Sequence, residues 1–131
     1  MATGETNLNT LLKNMTPVLN EGDYVYCTTP SLNNINTGDI IAFFKEQEAI
    51  TLILKKETAD QLRLEYSYVA AWITLTIHSS LEATGLTAAF ATALAKENIS
   101  CNVMAAYYHD HIFVAKKDAD RAIAALKKLS E

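Results

Sequence analysis

Apolar residues along this chain switch between two periods, and the switches lay out its elements. Leu8, Leu11, Leu12 and Met15 recur at helical spacing, and Pro17 stops that helix shortly afterwards. Residues 23–28 alternate: Tyr24, Tyr26 and Thr28 share one face, Val25 and Cys27 the other, which predicts a strand. Residues 30–38, rich in Asn, Ser and Thr, read as a loop. Two strands follow, at 40–44 and at 49–54, where Ile50, Leu52 and Leu54 line one face. Residues 56–62 predict a short helix. Leu64, Tyr66 and Tyr68, alternating with Arg63, Glu65 and Ser67, predict further extended chain.

The second half is patterned more strongly. In residues 71–78, Ile73, Leu75 and Ile77 oppose Trp72, Thr74, Thr76 and His78, as in a sheet with one covered face. After a polar turn, Leu86, Phe90 and Leu94 give the stripe of a helix over 86–98, with alanines between them that allow close packing. Strands at 100–108 and 111–116 are expected to form a tight hairpin around His109-Asp110. Asp118 is positioned to cap a last helix with the stripe Ile123, Leu126 and Leu129. The middle of each half thus shares a helix–hairpin–helix theme, which suggests a duplication. Residue identity between them is poor, and no linker divides them.

Half of the 131 residues are apolar, enough for a packed core and contrary to general disorder. The length fits one compact domain or two small, closely packed halves. A formal charge of −4 argues against nucleic acid, whose binders carry a basic stripe, and against an anionic membrane surface. Cys27 and Cys101 are far apart and in no Cys-x-x-Cys pair. They read as small apolar side chains in a reduced, cytoplasmic setting. Residues 1–5 hold no basic segment leading into an apolar run, so no signal peptide is expected. No apolar stretch is long enough to span a bilayer.

The run Ile73-Thr74-Leu75-Thr76-Ile77 and the run Ala83-Thr84-Gly85-Leu86-Thr87-Ala88-Ala89-Phe90 together resemble the first strand and first helix of ACT domains. The stretch from Leu94 through Asn98-Ile99-Ser100-Cys101-Asn102-Val103 looks like that family's helix end and second strand. Tyr107-Tyr108-His109-Asp110-His111-Ile112-Phe113-Val114 resembles the strand pair that follows. The resemblance extends over nearly the whole chain, to small stand-alone bacterial proteins with tandem ACT-like repeats. It implies an α+β fold of tandem ferredoxin-like (βαββαβ) ACT repeats with antiparallel sheets. The N-terminal ACT-like repeat would occupy 1–66 and the C-terminal ACT domain 67–131, packed as one unit. The second repeat lacks the family's last strand, so a strand from the first half or from a second molecule is expected to complete its sheet.

The resemblance also implies a function: non-catalytic, regulatory binding of a free amino acid or similar small ligand at an interface between modules. Thr84, Gly85, Leu86 and Thr87 would hold the ligand's carboxylate, and Asn102 its ammonium group. The physics agrees, because the first N–H groups of a helix lack partners and favour an anion, and a glycine admits close approach. Alternatively, Gly85 serves only the turn, and Ser79 with Glu82 forms a capping box. The runner-up function is a protein-interaction or assembly module with an empty pocket. A homodimer is expected, with an unknown regulated protein as a further partner. The tyrosines and Trp72 on the strands fit either an interface or ordinary sheet packing.

Other chemistry is poorly supported. The sequence has no G-x-S-x-G elbow, phosphate-binding P-loop or H-E-x-x-H helix. His78 beside Ser79 and Ser80 lacks a third orienting group. His109-Asp110-His111, with His78, offers a less favoured metal-binding alternative, but neighbours on a hairpin turn diverge where zinc needs a convergent set. The expectation is a protein with no catalytic residue, no cofactor and no metal.

Overall fold

Asn7 begins the first helix by accepting a hydrogen bond from the Thr10 amide at 3.1 Å, and α1 then runs Leu8–Asn14. The computed structural model describes residues 7–76 and 85–131. The other elements are β1 (Pro17–Thr29), β2 (Ile40–Lys45), β3 (Ile50–Lys55), α2 (Lys56–Gln61), β4 (Val69–Leu75), α3 (Leu86–Lys96), β5 (Asn102–Ala105), β6 (Asp110–Ala115) and α4 (Ala119–Lys128). The chain forms two compact units. One comprises residues 1–20 and 71–131, the other residues 21–70. β1 and β4 each run from one unit into the other.

In the larger unit the strand order is β1-β4-β6-β5. β5 and β6 pair antiparallel, with Asn102 opposite Phe113 and Met104 opposite His111. Ile73 and Leu75 of β4 and Ile112 and Val114 of β6 alternate inward. They meet Leu11, Phe90, Leu94 and Leu126 from the helices in one fully buried cluster. Burying a side chain the size of Phe90 contributes about 2–3 kcal/mol. Ala119, Ala122 and Ala125 are also buried there, so α4 can lie close to the sheet. The fourth strand of this unit is the start of β1: the Thr76 amide donates to the Thr16 carbonyl at 2.9 Å. The missing strand is thus supplied from the N-terminal half of the same chain.

In the smaller unit β3 lies between β2 and β1, antiparallel to both. Val25, Cys27, Leu52, Leu54 and Ala59 form its core, under Leu64 and Tyr66. α2 is only six residues long and covers this core through Ala59.

Several elements depart from the sequence reading. Pro17 opens a thirteen-residue strand, which a proline can do because the first strand residue need not donate. Residues 64–68 form no strand. The β5–β6 turn is residues 106–109, closed by the Ala106 amide on the His109 carbonyl at 3.1 Å, and Asp110 belongs to the strand. Asp118 stands before α4 but makes no side-chain cap. Its carboxylate instead takes Arg121 at 3.0 Å. The capping box at Ser79 and Glu82, and His78, lie outside the described residues.

Candidate functional site

α3 begins and ends on residues in the left-handed region. Gly85 has φ 88° and Asn98 φ 59°. At the end, the Ile99 amide donates to the Leu94 carbonyl at 3.0 Å and the Asn98 amide to the Ala95 carbonyl at 2.9 Å. With Ile99 and Leu94 both buried, this is a Schellman motif with its apolar contact. At the start, the Ala89 amide makes the first bond of the helix, to the Gly85 carbonyl at 2.9 Å. Gly85 itself has no side chain to cap the amides of Leu86, Thr87 and Ala88. Helical geometry turns those amides toward the N-terminus, where their partial positive charge adds to that of the helix.

The expected ligand residues are distributed as follows. Gly85 and Thr87 are exposed, while the Leu86 side chain is buried in the core. A Cβ on Gly85 would lie 3.1 Å from Cδ2 of Leu8, so this glycine also makes room for α1. Thr84 lies outside the described residues. Asn102 is exposed at the start of β5, and its side-chain amide donates to the Phe113 carbonyl at 3.2 Å. Asn102 is not beside Gly85 along the chain's own path. The Schellman motif folds residues 97–99 onto the end of α3, leaving Ser100 and Cys101 to reach Asn102. Eleven helical residues span about 16 Å, so Gly85 and Asn102 mark opposite ends of α3.

A second polar group occupies the sheet face away from the helices. The Trp72 indole Nε1 donates to His111 Nδ1 at 3.0 Å, and Thr74 Oγ1 lies 3.1 Å from the same nitrogen. Asn20 donates to Thr74 Oγ1 at 2.9 Å and to the Trp72 carbonyl at 3.2 Å. The Trp72 ring stacks on Phe113, with centroids 6.2 Å apart and planes 21° apart. Burial, and then the charge of His109, hold the His111 pKa below its ordinary value. Burial raises the Asp110 carboxyl, against a smaller lowering by His109. Sequence reading passed over this network. Its signal was the polar-aromatic alternation Trp72, Thr74 opposite the inward Ile73 and Leu75.

Both thiols are unpaired by disulfide. Burial pushes Cys101 up to about 11, and burial with the nearby Asp60 charge raises Cys27, as for packing residues rather than nucleophiles. Among the described residues, no group of three or more His, Cys, Asp or Glu side chains could hold a metal ion. No described helix is long and apolar enough to cross a membrane.

Residues 3–71 and residues 67–128 each match a model of the ACT domain. The chain belongs to the ACT domain family, as tandem domains of an α+β fold. A Vibrio cholerae protein of unknown function, described as a possible transport protein, is 50% identical. That match covers 95% of this chain and 96% of that one, with a TM-score of 0.85. The regulatory subunit of Thermus thermophilus aspartate kinase, in ligand-free form, is 10% identical, covers 88% and 97%, and has a TM-score of 0.61. Escherichia coli aspartokinase III, solved with aspartate and ADP, is 14% identical, covers 88% and 34%, and has a TM-score of 0.62. At such identities the kinases show a shared fold alone. No curated protein matches the sequence.

Proposed function

We propose that this chain is a non-catalytic regulatory ACT protein that binds a free amino acid at the start of α3. The observation that carries the reading is the exposed, left-handed Gly85 opening a helix whose first three amides precede its first intrahelical bond. Those amides suit a carboxylate. Thr84 joins Gly85, Leu86 and Thr87 in the proposed set by sequence. The kinases of similar fold support the ligand class, since one was solved with aspartate.

Asn102 supplies the ammonium contact through its side-chain oxygen, while its amide group is held by the Phe113 carbonyl. Because Asn102 stands at the far end of α3, one chain does not complete the site. The proposal therefore includes a homodimer in which one copy offers the α3 start and its partner offers Asn102. The exposed residues of the edge strand β5, including Val103 at 38%, are available for such pairing.

The test is a thermal-shift panel of the twenty amino acids at millimolar concentration. A ligand present above its dissociation constant stabilises the folded state, so at least one amino acid raises the melting temperature. No shift from any of the twenty overturns the reading.

A further inference from the structure

The two units differ in charge. Of 15 acidic and 11 basic residues, residues 21–70 hold eight acidic and four basic. The entire net charge of −4 therefore sits in the smaller unit, and the larger is balanced at seven and seven. That smaller unit holds a groove of about 800 Å³ along β1, beside residues 64–67. Its lining includes Tyr26, Thr28, Thr51, Glu65, Tyr66 and Ser67. Among the described lining residues there is one carboxylate and no lysine or arginine.

The lining suits an ammonium group. Thr28 and Thr51 are cross-strand partners, which places two hydroxyl oxygens side by side. Thr51 donates its hydroxyl proton to the Glu46 carboxylate, so its oxygen is left to accept. Tyr66 donates to Asp60 at 2.6 Å, and a phenol bonded to a carboxylate has an electron-richer ring. That ring already attracts an ammonium in this structure: Lys56 Nζ lies 5.9 Å from its centroid. Glu65 is exposed at the rim, where it can pair with a cation. The cation nearest these groups, Lys56, is already paired with Asp60 at 3.3 Å, so a ligand carboxylate would have to compete with Asp60 for it.

We propose that this groove is a second ligand site, separate from the α3 start, and that it takes an organic amine with a flat apolar body and no carboxylate. The aromatic rings contact the body, while the threonine hydroxyls and Glu65 receive the ammonium. The net negative field of the unit favours entry of the cation.

The experiment is an amide NMR titration of the whole chain with 2-phenylethylamine, alongside 2-phenylethanol and phenylalanine at the same concentrations. The expected result is saturable shifts at residues 26–28 and 64–67 with the amine, and much weaker shifts there with the alcohol or the amino acid. Glu65→Gln weakens the amine about threefold to fivefold, the size of one partly solvated ion pair. Tyr66→Leu weakens it by a similar factor through loss of the ring, while Tyr66→Phe, which keeps the ring and loses only the phenol's bond to Asp60, weakens it less. No saturable shift with the amine, equal binding of amine and alcohol, shifts confined to other residues, or unchanged affinity in folded Glu65→Gln each overturn the proposal. The site near Gly85 is read by different amides, so failure here leaves the amino-acid reading untouched.

Discussion

The indole N–H of Trp72 donates to Nδ1 of His111 at 3.0 Å, and that bond fixes the chemistry of the imidazole. Nδ1 must offer a lone pair, so the ring is neutral with its proton on Nε2. Protonation at Nδ1 would set two donors against each other. Burial on the sheet face pushes in the same direction, since it disfavours the charged ring.

The sign of the resulting pH dependence follows. The folded His111 pKa lies below the ordinary value of about 6.5, so between the two the unfolded chain binds more protons. Stability from the neutral ring is full above about pH 6.5 and is lost as pH falls through the folded pKa. Trp72 is the single tryptophan, so its emission reports the event. A fluorescence titration is expected to show a transition centred below pH 6.5, and His111→Leu to abolish it.

Gly85→Ala tests the backbone at the α3 start. Left-handed geometry costs an alanine about 1–2 kcal/mol, and its Cβ would meet Leu8 at 3.1 Å. Chemical denaturation is expected to show a loss of at least that order. In a Leu8→Ala background the added cost of Gly85→Ala shrinks toward the backbone part alone, which a double-mutant cycle reads directly.

Cys101, pushed up to about 11 by burial, carries roughly a hundredfold less thiolate at pH 8 than a free thiol of ordinary pKa. Reaction with a chromogenic disulfide at pH 8 should therefore be slow in the folded protein, with both thiols released rapidly in denaturant. Fast native labelling at Cys101 would contradict the half-buried, structural role.

Much of the architecture is legible from period alone. Ile73 and Leu75 against Trp72 and Thr74, and Leu86, Phe90 and Leu94 in α3, point inward as their spacing predicts, because a single covered face leaves a clean pattern. Pro17–Thr29 is harder to read, since a strand that serves two units changes surroundings along its length. The expected helix end at Asn98 falls two residues past the last helical residue, Lys96, because Asn98 takes the left-handed conformation that closes the helix. Asp118 shows how spacing can mislead: its carboxylate has a better partner in Arg121 than in a helix amide. As for the candidate site, Gly85 is identifiable from sequence. That Asn102 stands at the other end of α3 emerges only from the helix length and the tight turn after it.

An amide NMR titration with each of the twenty amino acids decides whether the start of α3 holds one. At least one is expected to give saturable shifts at the amides of Gly85, Leu86 and Thr87 and at the Asn102 side chain, and Asn102→Ala to weaken its binding. The contradicting result is a folded protein in which no amino acid moves those amides at millimolar concentration.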